Sequence, residues 1–197
     1  GQDFALKGND VPNGYILLAT ACDGTLATTA QFTSIRVVCN NTLAVALGDN
    51  RGCVKVPHST KFDPQAVKQQ LGISVSSWDA FMYRMKALSD RKVKAKEAEN
   101  FFLQVFSEQG RDTGKPVLAK TNERSMAKAL ELFDGRGRGA ELASAKGTAF
   151  GLLNAVTEFV DHERRARSVD NRLDSAWFGQ GAAIKQHALD LALSMAA

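Results

Sequence analysis

The chain has 197 residues, of which 44% are hydrophobic and 23% charged, a composition that excludes wholesale disorder. Its formal net charge of +4 allows a nucleic-acid partner without requiring one. No apolar run is long enough to cross a membrane, and residues 1–10 lack the apolar centre of a signal peptide, so neither a membrane anchor nor a secretion signal is expected.

The first sixty residues have the pattern of an antiparallel sheet. Apolar and β-branched runs predict strands over residues 15–22, 25–29, 31–39 and 53–56, with Asp23-Gly24 as the turn of a hairpin. Asn40 to Thr42 can cap a short helix through residues 43–47, which Gly48 would end. Because strand-like sequence begins at Phe4 and no Met precedes it, we expect a fragment of a longer protein whose earlier strands join the same sheet.

After residue 60 the apolar period changes from two to about 3.6, which predicts helices. Asp63-Pro64 places a proline at one helix start, and Ser76 or Ser77 and Asn122 cap two others. Helical spacing predicts further helices around residues 98–106, from Thr148 and from Ser175, with a loop over 109–121. Strands followed by helices indicate an α+β fold, with residues 1–60 as the β portion and 61–197 as a helical portion packed on it in one continuous domain. Neither G-x-G-x-x-G nor G-x-x-x-x-G-K-[ST] is present, which disfavours a crossover nucleotide-binding fold.

The cysteines indicate a cytoplasmic protein with reduced thiols. They are odd in number and widely spaced, at Cys22, Cys39 and Cys53. The histidines, His58, His162 and His187, do not complete a zinc-binding spacing with them. We therefore expect neither a metal nor another cofactor.

The helix predicted from Thr148 carries one narrow polar stripe. Its members recur at helical spacing and are Asn154, Thr157, Glu158, Asp161, His162 and Arg165. The stripe can face water, with i, i+4 ion pairs; it can form a buried network that ties the helix to the sheet, or bind a partner. It can also form a hydrolytic centre in which Glu158, Asp161 and His162 act as acid, base or cation ligands, with His58 brought near by folding.

Cationic residues are locally dense and predict a surface for phosphates. One cluster comprises Arg84, Lys86, Arg91, Lys92, Lys94 and Lys96, and the glycine loop at 135–139 adds Arg136 and Arg138. The alternative for the first cluster is an ordinary solvated helix face. Trp177 and Phe178 either stack on bases or belong to the core.

Several stretches resemble one known family. These are TACDGT (20–25), FTSIRVVCNNTL (32–43), VKVPHS (54–59), TAFGLLNAVTEFVDHER (148–164) and RLDSAWFGQGAAIKQHAL (172–189). Together they resemble the bacterial phage/plasmid-like family, domain of unknown function nine hundred and thirty-two. The resemblance implies a longer parent encoded on phages, plasmids and integrated elements, where functions in DNA recombination and single-strand binding are common. The order of strands and helices is also loosely similar to single-strand annealing proteins.

The family pattern falls on residues of both halves of the chain. The resemblance transfers it to Phe32, Thr33, Arg36, Val37, Cys39, Asn41, Thr42, His58, Asn154, Thr157, Glu158, Asp161 and His162. Phe150 stands where the family favours Trp. An arginine on an apolar strand needs an anionic partner, so we expect Glu158 or Asp161 to pair with Arg36 and join helix to sheet.

Three functions are compatible with these features. In the first, the protein binds nucleic acid, with single-stranded DNA favoured, in the replication or recombination of mobile elements; Arg36, His58, the 84–96 cluster, Arg136 and Arg138 would contact phosphates. The second is the metal-assisted hydrolase or nuclease centred on Glu158, Asp161 and His162. The third is a structural or interaction protein without chemistry, and a homo-oligomer is compatible with all three.

Overall fold

A computed structural model describes residues 6–8, 10–19, 28–36, 38, 40–44, 53–57, 63–70, 75–107, 122–165 and 168–197. Within these residues the chain is α+β, with an antiparallel sheet first and helices after it, as the sequence predicts. The predicted Asp23-Gly24 turn, Cys22, Val37, Cys39, His58 and the 109–121 loop lie outside the described residues.

The described sheet has four strands: β1 (Pro12–Ala19), β2 (Thr28–Arg36), β3 (Asn41–Ala44) and β4 (Cys53–Val56). β1 pairs along its whole length with β2, from Pro12 opposite Arg36 to Ala19 opposite Thr29. On its other side β2 pairs with β3 at one end and β4 at the other, all antiparallel. Both ends of β2 are therefore enclosed between neighbours, and nearly all of its side chains are buried.

The short helix predicted after residue 42 is wrong for the described part of that segment. Asn41–Ala44 is strand β3, and the preceding turn is closed by the Asn40 amide, which donates to the Arg36 carbonyl at 2.9 Å. Asn40 takes a positive φ of 54°, a conformation that asparagine tolerates better than most residues. An apolar run of four or five residues fits a strand as well as a helix, so periodicity could not decide between them.

The described helices are α1 (Pro64–Gln70), α2 (Val75–Asp90), α3 (Ala95–Phe106), α4 (Glu123–Glu131), α5 (Ala149–Glu158), α6 (Val169–Trp177) and α7 (Gln180–Ala196). Wider π-helical turns, Leu132–Arg136 and Phe159–Glu163, extend α4 and α5. Asn122 caps α4 through its side-chain oxygen, as predicted, and Asp63 and Thr148 cap α1 and α5 in the same way. The prediction that Ser76 or Ser77 caps a helix is wrong, because α2 already begins at Val75. The helix predicted from Ser175 instead begins at Gln180, after a break at Phe178 and Gly179.

The main core lies where α5 meets the other helices and the sheet. Every residue of α5 is buried, and the helix packs against α2, α7 and β3. From the sheet, Phe32 contacts the Trp78 ring of α2 at 5.8 Å between centroids, and Trp78 stacks on Phe81 at 5.4 Å. No helix among the described residues combines the length and apolar character needed to span a bilayer.

Candidate functional site

Arg36, at the end of β2, forms a buried ion pair with Asp10. Nε donates to Asp10 Oδ1 at 2.9 Å, and Nη2 donates to Oδ2 at 2.7 Å. The two side chains are 5% and 0% exposed, and the Ser144 hydroxyl adds a short hydrogen bond to the same carboxylate. A planar guanidinium matches a carboxylate in this two-point geometry, which compensates for the loss of water around both charges.

The partner of Arg36 is therefore Asp10, and the expectation that Glu158 or Asp161 fills this role is wrong. The helical half still contributes, since the Phe150 ring of α5 lies 5.2 Å from the guanidinium carbon. An aromatic residue at position 150 thus provides a cation–π contact. Because Arg36 is buried and engaged, its guanidinium is not on the surface that phosphates would reach.

Gly139 brings the loop after α4 against the end of β2. Its carbonyl accepts a hydrogen bond from Arg36 Nη2 at 3.1 Å. It takes a φ of +71°, and a Cβ here would lie 2.3 Å from Val38 Cγ1 and 3.2 Å from Arg36 Nη2. Only a residue without a side chain fits this approach unless its neighbours move.

Glu158 projects from the end of α5 into the glycine loop. Both carboxylate oxygens accept the Arg138 backbone N–H, at 3.1 and 3.0 Å. Burial raises the pKa of the Glu158 carboxyl above its ordinary value, against the opposing effects of this hydrogen bond and of His162 and Arg138. The backbone N–H of Arg138 is thus occupied by a carboxylate of the same chain and is not free to bind a phosphate.

Asp161 lies in a buried cluster with Lys185 of α7 and Thr42 of β3. Lys185 Nζ is 2.8 Å from Asp161 Oδ1 and donates to Thr42 Oγ1 at 2.8 Å. Asp161 Oδ2 accepts from both the backbone N–H and the hydroxyl of Thr42, at 2.7 and 3.0 Å. Burial lowers the pKa of Lys185, and the adjacent carboxylate opposes that shift. Thr42 therefore bonds the helices rather than capping a helix of its own.

The remaining motif residues connect the same elements. Asn41 Nδ2 donates to the Asn154 carbonyl at 3.3 Å, and the Thr157 hydroxyl donates to that carbonyl at 3.0 Å. Thr33 donates to the Leu43 carbonyl at 3.1 Å, between β2 and β3. The polar stripe of α5 is thus mostly a buried network that joins sheet and helices, one of the four roles that the sequence left open.

Of the hydrolytic candidates that the structure describes, Glu158 and Asp161 are each engaged in separate buried contacts. Asp161 is enclosed by Lys185 and Thr42, and Glu158 is bound to the glycine loop. His162 is half-buried, its backbone carbonyl accepts from Arg172 Nη1 at 2.8 Å, and its predicted neighbour His58 lies outside the described residues. Within the described part of the chain, no group of three or more His, Cys, Asp or Glu side chains is placed to hold a metal ion.

The structure places several predicted cations at the turn between α2 and α3. Lys92 and Lys94 are exposed on either side of half-buried Val93, and exposed Lys96 follows in the first turn of α3. Lys92 Nζ donates to the Lys146 carbonyl at 3.2 Å, which brings a fourth lysine to this place. Among the described residues Lys92, Lys94 and Lys96 form no ion pair. We call the surface formed by Lys92, Lys94, Lys96 and Lys146 the basic turn.

The other predicted cations have different surroundings. Arg91 is half-buried and pairs with Glu97 at 2.6 Å, and Arg136 is exposed and pairs with Glu131 at 3.2 Å. Arg84 and Lys86 are exposed on α2, and the Arg138 side chain is exposed in the glycine loop. Trp177 packs against the core and meets Phe178 edge-on, at 6.5 Å between ring centroids.

Comparison with known proteins gives one family. A family model described as "Domain of unknown function (DUF932)" matches residues 1–177, which include the sheet, α1 to α5 and α6. No curated protein and no solved structure matches the chain.

Proposed function

The chain belongs to the DUF932 family, whose description assigns no activity, and from the geometry we propose that it binds single-stranded DNA through the basic turn. One observation carries the proposal: Lys92, Lys94 and Lys96 are exposed, adjacent and without an acidic partner in the described residues. A role in the replication or recombination of mobile elements belongs to the same proposal, and it rests only on the family resemblance.

The local charge supports phosphate binding better than the net charge does. The two buried cations of the network are neutralised, Arg36 by Asp10 and Lys185 by Asp161. At the basic turn Lys146 pairs with exposed Glu141, but Lys92, Lys94 and Lys96 form no ion pair among the described residues, and Glu97 is already occupied by Arg91 and by the Lys94 amide. Binding a phosphate there releases counterions from the DNA without first breaking an ion pair.

The lysines of the turn are also held in place by the backbone. Lys92 pairs as a β-bridge with Thr148, and the Val93 N–H donates to the Gly147 carbonyl at 3.0 Å. Lys94 caps α3. The three ammonium groups therefore extend from a backbone fixed at both ends, which reduces the conformational entropy lost on binding.

The test is a fluorescence-anisotropy titration of a labelled single-stranded oligonucleotide across a salt series. The variant Lys92→Gln/Lys94→Gln/Lys96→Gln should weaken binding and reduce the slope of log K against log salt by about 2, since each single-strand phosphate contact contributes about 0.7. The matched control is Lys55→Gln/Arg124→Gln/Lys128→Gln, which removes the same charge elsewhere. The helix formed by α5 and its π-helical extension begins beside Lys92, at Thr148, and ends at Glu163, roughly 22 Å away at 1.5 Å per residue. Lys128 pairs with Glu163 and therefore lies at the end of this helix that is far from the basic turn.

Three results would contradict the proposal. They are an absence of salt-sensitive binding by the unchanged protein, equal losses in the two triple variants, and a loss confined to a variant of Arg136 and Arg138. The last would move the contact to the glycine loop. Circular dichroism of each variant separates loss of binding from loss of fold.

A further inference from the structure

A groove between α3 and α7 opens beside the basic turn. Its volume is about 200 Å³, whereas the other crevices in the described part of the protein that adjoin the buried network hold 10 to 30 Å³. At about 30 Å³ per molecule of liquid water, that is room for several waters or for one flat ring system. The lining residues are Glu97, Asn100, Phe101, Gln104, Leu191, Ser194 and Met195.

The two walls of the groove follow from helical spacing. The α3 residues recur at i, i+3, i+4 and i+7, and the α7 residues at i, i+3 and i+4, so each set forms one face. Phe101, Leu191 and Met195 give an apolar floor, and Asn100 and Gln104 are exposed at the rim. A flat apolar floor with amides at its edge suits a ring that has one stackable face and polar edges.

Two contacts join this groove to the basic turn. Arg91 Nε donates to the Met195 carbonyl at 2.9 Å, and Arg91 Nη2 donates to Glu97 Oε1 at 2.6 Å, so one arginine holds both walls. On α3, Lys96 stands four residues before Asn100, which places their Cβ atoms about 5–6 Å apart. A phosphate bound at Lys96 therefore leaves its own nucleotide within reach of the groove.

We propose that this groove receives one unpaired base of the DNA strand held at the basic turn. The inference rests on the proposed function. It also explains a preference for single strands, because a base in a duplex can enter the groove only at the energetic cost of unpairing and unstacking it. Phe101, Leu191 and Met195 contact the face of the base, and Asn100 and Gln104 donate to and accept from its edge. Glu97 takes no part, since it is engaged by Arg91 and by the Lys94 amide at 2.8 Å.

The experiment compares three probes of equal length: a single-stranded oligonucleotide, the same strand with abasic sites throughout, and the duplex. The unchanged protein should bind the base-containing strand about fivefold or more tightly than the abasic strand, because stacking of one base contributes about 1–3 kcal/mol. Ser194→Trp, which fills the groove, should remove that difference, and Asn100→Ala/Gln104→Ala, which removes only the contacts to the edge of the base, should reduce it. Both variants should leave abasic binding and the salt slope unchanged. Gln65→Ala/Gln69→Ala on α1 is the matched control for loss of exposed helical amides.

The outcomes separate the two proposals. If the lysine variant abolishes binding but the groove variants keep the preference for bases, the groove assignment is overturned and the basic turn stands. If the unchanged protein binds abasic and base-containing strands equally, the groove assignment is likewise overturned. If it binds none of the probes, the proposed function fails, and this inference fails with it.

Discussion

The Glu158 carboxylate is buried and accepts a hydrogen bond from the backbone N–H of Arg138. Burial outweighs the favourable interactions and raises the pKa of the group above its ordinary value of 4.5. A carboxyl whose folded pKa is raised binds its proton more tightly in the folded state than in the unfolded one. The free energy of unfolding must then decrease as the pH rises from the pKa of the unfolded state to the pKa of the folded state.

We therefore expect the stability difference between the unchanged protein and Glu158→Gln to depend on pH. Near and below pH 4.5 the two should be similarly stable. As the pH rises through the folded pKa, Glu158→Gln should become the more stable, by about 1.4 kcal/mol for each unit by which the folded pKa is raised. Thermal unfolding across a pH series measures this, with Glu99→Gln on the exposed face of α3 as control. If the stability difference between the two proteins is constant, or increases as the pH falls, the Glu158 carboxyl does not have a raised pKa.

For single residues, the sequence predicted that a buried charge needs a partner but not which residue that partner is. An arginine on an apolar strand had to meet an anion, and it does. Asp10 was not predicted as that partner because it belongs to no periodic helix or strand. Ser144, which donates a hydrogen bond to Asp10, likewise lies in the turns before α5. Lys185 was not predicted, because helical periodicity does not tell whether a lysine side chain is buried. The signal available for it was one lysine among the apolar residues of α7.

At the scale of elements, the helical spacing of the α5 stripe was predictable, but its surroundings were not. Periodicity tells which residues share a face, and the face itself meets water or protein according to what packs on it. Here β3 and α7 pack on it, so Asn154, Thr157 and Glu158 are buried. The same argument explains β3, where the partner strand decides the conformation of a short apolar run.

The Asp161–Lys185 pair should behave as a unit that joins α7 to the end of α5. Lys185→Met should destabilise the protein by about 3–5 kcal/mol, because it leaves the Asp161 carboxylate buried without its counterion. Asp161→Leu should cost a similar amount for the converse reason. The double variant should be far more stable than the sum of the two losses predicts, since no buried charge remains.

Chemical denaturation of the four proteins completes this double-mutant cycle. Additive losses would mean that the two charges do not interact across the interface. The exposed pair Lys146–Glu141, carried through the same cycle, should show a coupling of less than about 1 kcal/mol.

At the scale of the whole molecule, sheet and helices are joined by polar as well as apolar contacts. Arg36 reaches Gly139, Asn41 reaches Asn154, and Thr42 reaches Asp161, each between β2 or β3 and a segment more than a hundred residues later. Such long-range contacts can form only when both parts are in place. The described sheet and helices should therefore unfold together rather than in sequence.

The two tryptophans test that expectation, since Trp78 meets the sheet through Phe32 and Trp177 lies on α6. Trp78→Phe and Trp177→Phe each leave one fluorescent reporter. In either variant, the fluorescence transition in denaturant should coincide with loss of the helical circular dichroism signal. A Trp78 transition that precedes loss of helix would show that the β portion unfolds on its own.

Gly139 makes the substitutions allowed in the loop after α4 depend on the residues at the end of β2. An alanine at this position would overlap Val38 and crowd Arg36, in addition to the strain of its positive φ. A smaller residue at position 38 would remove the overlap but leave the strain, so the order in which the two positions change determines whether the intermediate chain folds. The loop after α4 and the end of β2 are therefore expected to show epistasis, each limiting the substitutions that the other can accept.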